Sequence, residues 1–152
     1  MGCVTTPRYL LSINDRLHGY LKGEKGIRQG DPISPMLFVL VMEYLTRILK
    51  HMSSTKSFKH HPLCRKLNIV NLSFADDLML FCKADVDSIR TLMGMFNHFS
   101  RVSGLTPNLA KSQIFIAGTS DEVKRTIMDI TGFSAGSFPM KYLGMPISSH
   151  KW

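Results

Sequence analysis

Residues 67–82 are apolar enough for a sheet, yet two aspartates stand side by side at their centre: Ser73-Phe-Ala-Asp-Asp-Leu-Met-Leu-Phe81. Aspartate is poor inside strands and good in tight turns. The segment therefore reads as two strands, 67–74 and 78–82, joined across Ala75-Asp76-Asp77. A turn chosen for geometry alone draws on Gly, Asn or Ser and opens onto solvent. Here Phe74 precedes and Leu78-Met79-Leu80-Phe81 follows, so the turn is expected at the end of a buried hairpin. Two carboxylates held together repel, and one tends to keep a proton. A divalent cation removes that repulsion, and Mg²⁺ commonly takes one or two carboxylates plus substrate phosphates. The pair points to a part-built Mg²⁺ (or Mn²⁺) site, with a plain hairpin turn as the structural alternative.

The rest of the chain sets this hairpin in an α+β frame. Residues 9–13 and 17–21 read as strands around the turn signal Asn14-Asp15. Gly23 to Gly26 reads as a loop, and Gly30-Asp31-Pro32 punctuates again. A long helix follows, with Ser34 as its cap, Pro35 in its first turn, and Leu37, Leu40, Val41, Tyr44, Leu45 and Ile48 as its apolar face. Residues 51–62 read as a basic loop. Asp85 caps a second helix whose buried side is Ile89, Leu92, Met93, Phe96 and Phe99, with Gly104 at its end. A strand is expected at 112–117. Thr119 and Glu122 form a capping box for a third helix ending near Gly132, and a short strand is expected at 141–144. The order strands, helix, hairpin, helix, strand, helix argues α+β, an antiparallel sheet with helices on one face.

Bulk properties narrow the partners. The 152 residues suffice for one core, and 44% are hydrophobic, too many for a disordered tail. With 19 Lys+Arg against 11 Asp+Glu the net charge is +8, which favours a polyanion such as nucleic acid over an anionic membrane surface. No apolar run approaches the ~20 residues of a membrane helix. Cys3, Cys64 and Cys82 form no disulfide framework, which implies a reducing, intracellular compartment: nucleus, cytoplasm or mitochondrion. His60, His61 and Cys64 are close enough for zinc but lack a fourth ligand. The N-terminal MGCVTT fits a myristoylation pattern, and residues 1–28 mildly resemble a mitochondrial presequence. The sequon at Asn71 falls in an expected strand and is set aside.

Four blocks occur in a telling order: Gly26-Ile-Arg-Gln-Gly-Asp-Pro-Ile-Ser-Pro35, Phe74-Ala-Asp-Asp77, Ser103-Gly-Leu-Thr-Pro-Asn-Leu-Ala-Lys-Ser112 and Tyr142-Leu-Gly-Met-Pro146. The series resembles the reverse transcriptase of non-LTR (LINE-type) retrotransposons, especially the plant kind, over essentially the whole chain. The resemblance implies a partial polymerase palm over 1–140 and a primer-grip segment with the start of a thumb over 141–152. It implies that Asp76 and Asp77 are catalytic metal ligands, with Asp76 the main one, for two-metal nucleotidyl transfer. Arg28, Gln29, Gly30 and Asp31 would lie along template and incoming nucleotide, with Phe74, Ala75 and Asn108 beside them. Phe74 stands where many relatives have Tyr. Lys111 would sit near the leaving phosphates, and Tyr142, Leu143 and Gly144 would support the primer end. Each has a plainer reading: helix lead-in for the glycine loop, solvated strand end for Lys111, core packing for Tyr142 and Leu143.

The resemblance also implies partners: RNA template, DNA primer, dNTP and an upstream polymerase fragment. The family's metal-bridging aspartate precedes all of these motifs, and no acid ahead of Gly26 lies in an apolar strand run. Loss of that ligand costs several kcal/mol of transition-state stabilisation, about a thousandfold or more in rate, so these residues alone are expected to be inactive. The alternative function is a non-catalytic nucleic-acid-binding remnant using Lys50, His51, Lys56, Lys59, Arg65 and Lys66. A third reading is a decayed frame whose product does not fold stably.

Overall fold

A computed structural model of the chain describes residues 8–23, 27 and 30–147. The chain divides into two compact units, Met1–Met42 and Glu43–Trp152. The N-terminal acylation motif, Gly26, Arg28 and Gln29 lie outside the described residues; of the presequence-like stretch 1–28, residues 8–23 and 27 are described.

In the first unit β1 (Arg8–Ile13) and β2 (Arg16–Lys22) form the expected antiparallel hairpin. Asn14 (φ 51°) and Asp15 (φ 57°) make its turn, both left-handed, as a two-residue hairpin with the twist of its strands requires. Every strand position but Tyr9 is exposed, Tyr20 by 75%. Helix α1 (Ser34–Ser53) starts differently from expectation. Ile33, not Ser34, holds the cap position, since its carbonyl accepts the first helical bond from Leu37 N–H at 3.0 Å. Asp31 does the capping: its Oδ1 accepts from Ile33 N–H and its carbonyl from Ser34 N–H, both at 3.0 Å. Ser34 itself is buried.

The second unit holds the core: Leu45, Leu49, Met52, Phe58, Val70, Ile89, Leu92, Phe96, Phe99 and Ile127. Burying such a side chain stabilises by about 1.5–3 kcal/mol. The buried face of α1 is therefore Leu45, Leu49 and Met52, shifted toward its C-terminus from the expected stripe, while Leu40 is 65% exposed. The helix also runs through 51–53, which the polar composition marked as loop. Hydroxyls support the extension: Ser53, Ser54 and Thr55 donate to the carbonyls of Lys50, His51 and Met52, adding to the backbone bonds from Ser54 N–H to His51 O and Thr55 N–H to Met52 O. Phe58, inside the expected polar loop, is a core residue.

Helix α2 (Val86–Ser103) matches expectation: Asp85 accepts from Ser88 N–H, and Gly104 closes it at φ 76°. Met93 is half-buried rather than core. Tyr44 stacks on Phe99 (6.4 Å), and its hydroxyl meets His98 Nε2 at 3.0 Å. Helix α3 (Asp121–Thr131) packs on α2 and ends at Gly132, but Ser120 is its cap rather than Thr119.

The strands are shorter than the apolar runs. β3 (Asn71–Phe74) and β4 (Asp77–Leu80) form the central hairpin. Its base is tied by Phe81 N–H to Val70 O (2.8 Å) and Asn71 Nδ2 to Thr46 Oγ1 (3.3 Å). Leu67 ends a 3₁₀ turn, Arg65–Leu67, closed by Asn68 at φ 52°, which is why the strand begins late. β5 is only Gln113–Ile114, and it pairs in parallel with β6 (Ser134–Ala135), a strand the sequence did not reveal. Gly136 N–H donates to Ile114 O at 2.8 Å, and a Cβ there would collide with the Phe115 ring, itself packed against Phe138 at 5.6 Å. β7 (Met140–Tyr142) and β8 (Met145–Ile147) form a last hairpin. The fold is α+β with mostly antiparallel pairing, in four separate two-stranded ladders among the described residues. No helix among them is long and apolar enough to cross a membrane.

Candidate metal and nucleotide site

Asp76 and Asp77 lie at the tip of the β3–β4 hairpin. Phe74 pairs with Asp77, so Ala75 and Asp76 are the two loop residues and Asp77 is the first residue of β4. Ala75 has φ 48°, a left-handed conformation costing a non-glycine residue about 1–2 kcal/mol. Such strain persists only where the surroundings impose it, and it clusters at functional sites.

The expectation of a buried setting is not met. Asp76 and Asp77 are exposed, Phe74 is 60% exposed, and the half-buried strand residues are Asn71, Leu78, Met79 and Leu80. The reason is the ladder, which has two strands only and so no central position to bury. What sets the pair apart is the strained residue beside it and the absence of partners on its oxygens. Among the described residues neither carboxylate has a hydrogen bond or ion pair, whereas Glu43 holds Arg47 (2.8 Å), Asp121 holds Lys124 (2.9 Å) and Asp85 holds Ser88. Two free carboxylates on adjacent residues offer hard oxygens, the donors Mg²⁺ and Mn²⁺ prefer, with an open side for water or phosphate. They fit as part of a metal site. No three His, Cys, Asp or Glu side chains among the described residues form a group able to hold an ion.

That statement also covers His60, His61 and Cys64. His61 Nδ1 accepts from Leu63 N–H at 3.3 Å, the His60 ring sits edge-on to Phe58 at 5.2 Å, and burial raises the Cys64 thiol pKa. Cys82, just beyond β4, is pushed to about 12 by burial and then by Asp85, leaving a neutral, unreactive thiol.

The other candidates divide by unit. In the first, Gly30 takes φ 82°, and Asp31 is committed to the start of α1. In the second, Asn108 shapes a turn: its Oδ1 accepts from Ala110 N–H (3.1 Å), and its carbonyl accepts from Lys111 N–H (3.0 Å) and Ser112 Oγ (2.8 Å). That turn presents Lys111, exposed and without an ion pair among the described residues. Tyr142, Leu143 and Gly144 do form a hairpin tip, with Leu143 at φ 51° and Gly144 at φ 80°. Leu143 is 52% exposed, so core packing does not account for it.

An α+β scaffold carrying a strained turn with two unpaired carboxylates defines a candidate cation site and leaves the family open. Comparison with known proteins sharpens this. Residues 1–147 match the family Reverse transcriptase (RNA-dependent DNA polymerase), and the chain belongs to that family. It is 30% identical to the Retrovirus-related Pol polyprotein from type-1 retrotransposable element R2 of Popillia japonica, over 98% of this chain and 25% of that protein. It is 32% identical to the corresponding polyprotein from type-2 retrotransposable element R2DM of Drosophila melanogaster, over 80% of this chain and 12% of that protein. The chain thus spans a quarter or less of the relatives it matches. The reverse transcriptase resemblance is borne out at the level of the family, with retrotransposon proteins as relatives.

Proposed function

We propose that the chain is the palm portion of a non-LTR retrotransposon RNA-directed DNA polymerase, with Asp76 and Asp77 as its metal-binding carboxylates. The observation that carries this is the free acidic pair beside a strained Ala75, in a chain of the reverse transcriptase family. Divalent ions bound there would activate a primer 3′-hydroxyl and neutralise departing pyrophosphate. The hairpin holds both carboxylates at one tip, and their exposure leaves room for primer end and nucleotide. Lys111 is free to neutralise phosphate charge, and the Leu143-Gly144 tip is the primer-supporting element, over 141–152. Arg28 and Gln29 would bind template and nucleotide through phosphate and sugar. A plant affinity rests on the motif order alone, since both named relatives are insect elements.

These residues by themselves are proposed to be inactive, because two carboxylates make an incomplete two-metal site and no third carboxylate joins them among the described residues. Primer extension on an RNA template with Mg²⁺ tests this. The expected result is no extension by the chain alone. Robust extension abolished by Asp76→Ala would overturn the inactivity and keep the polymerase reading, whereas extension unaffected by Asp76→Ala would sink the assigned site.

A further inference from the structure

A cleft of about 540 Å³ in the second unit is lined by Phe58, Lys59, His60, Pro62, Arg65 and Lys83. Its cations are brought together by the backbone. Lys83 N–H donates to Lys59 O at 2.9 Å, joining residues 24 positions apart. Lys59 N–H donates to the fully buried Ser88 Oγ at 2.9 Å, and Ser88 Oγ donates to Asp85 Oδ2 at 3.1 Å. Arg65 enters from the 3₁₀ turn. Among the described residues none of the three cations has an ion-pair partner, and Asp85, the acid nearest Lys83 in sequence, is engaged by Ser88. Like charges held together repel unless an anion joins them.

We propose that this cleft binds a phosphate group, from a nucleic-acid strand or from a free nucleotide. Lys59, Arg65 and Lys83 are its cationic ligands, and Phe58 and Pro62 form its apolar floor. The guanidinium of Arg65 offers a planar fork matched to two phosphate oxygens, and the lysines add point charges. The cleft draws on Lys83, outside the basic run 50–66, and leaves out Lys50, Lys56 and Lys66. It is therefore more specific than a basic surface, and it involves neither Asp76 nor Asp77.

The test is fluorescence anisotropy of a labelled single-stranded RNA against the whole chain, at several salt concentrations and with EDTA present. The triple variant K59Q/R65Q/K83Q should bind more weakly. Its salt slope should fall by about 0.7 for each strand phosphate that the variant no longer neutralises, up to about 2 for three. The control K50Q/K56Q/K66Q removes the same charge outside the cleft and should change both far less. All six side chains are exposed, and circular dichroism checks that each variant folds. Equal weakening by the two triples, or none by the first, overturns the proposal. In competition, displacement of the RNA by inorganic phosphate or dNTP from the unsubstituted chain, but not from the cleft variant, supports it and identifies the free nucleotide as a ligand. No displacement, with the cleft triple still selectively weak, supports it with the strand as ligand. EDTA removes divalent ions from the assay, so the binding it reads does not depend on the acidic tip, and failure of the metal assignment and failure of the cleft remain separate results.

Discussion

Two of the hairpins that turn on two residues each, β1–β2 and β3–β4, use opposite chemistry to do it. β1–β2 turns on Asn14-Asp15, residues that tolerate the left-handed backbone and hydrogen-bond locally. β3–β4 turns on Ala75-Asp76, where alanine holds φ 48° without that help. The first hairpin is exposed at every strand position but one, whereas the second is anchored through Val70 and Asn71 to the core side of its unit. A sequence that needed only a reversal would have chosen the first solution twice. The second tip is less comfortable as a turn, and among the described residues its acids are left unengaged.

The largest expected difference is in anchoring. Val70→Ala should destabilise by about 2 kcal/mol or more, as a core truncation does, while Leu17→Ala, at a position 69% exposed, should stay within about 0.5 kcal/mol. Urea denaturation measures both, and equal losses would erase the contrast. Next comes metal affinity. Mn²⁺ titration followed by electron paramagnetic resonance should show about tenfold weaker binding in Asp76→Asn, about 1.4 kcal/mol, and no change in Asp15→Asn. If both variants bind alike, the acidic tip is an ordinary turn.

The turn strain gives a smaller effect. Ala75→Gly relieves about 1–2 kcal/mol of backbone strain but adds about 0.5–1 kcal/mol of unfolded-chain entropy. A net gain of up to about 1.5 kcal/mol is expected, against a few tenths for Asn14→Gly, where the native residue already suits the turn. A loss at Ala75 would show that its methyl group is packed rather than strained. The smallest effect near neutral pH concerns Cys82, beside the anchored hairpin. Its thiol stays neutral in the folded chain to about pH 12, while in the unfolded chain it ionises from about 9. The unfolded state then binds fewer protons, so the Cys82 contribution is complete below pH 9 and fades as pH rises toward 12. Cys82→Ala should flatten that part of the stability curve, and at pH 8 an alkylating reagent should modify Cys64 ahead of Cys82.

Local chemistry was the part of the fold most open to reading. Asn14-Asp15, Asp85, Gly104 and Gly132 act where their residue types foretell, because a turn or cap is decided within four or five positions. Burial was less legible. Leu40 and Tyr44 continue the stripe of α1 yet stay exposed, and Phe58 sits in a polar run yet is core, since what covers a side chain comes from distant segments. The parallel β5–β6 pair was hidden for the same reason: two residues per strand leave no period to detect. At the site, the acidic tip and the Leu143-Gly144 turn were legible as motifs. The unpaired state of the carboxylates and the approach of Lys83 to Lys59 were not, because both depend on tertiary neighbours.

Gly136 draws a sharper boundary than any of the acids. The aromatic ring of Phe115 fills the room where any larger residue would begin, so only a hydrogen atom fits at that carbon. A change of that codon is judged at folding, before any ligand is met, and what it forces apart is the seam between two strands of two residues each.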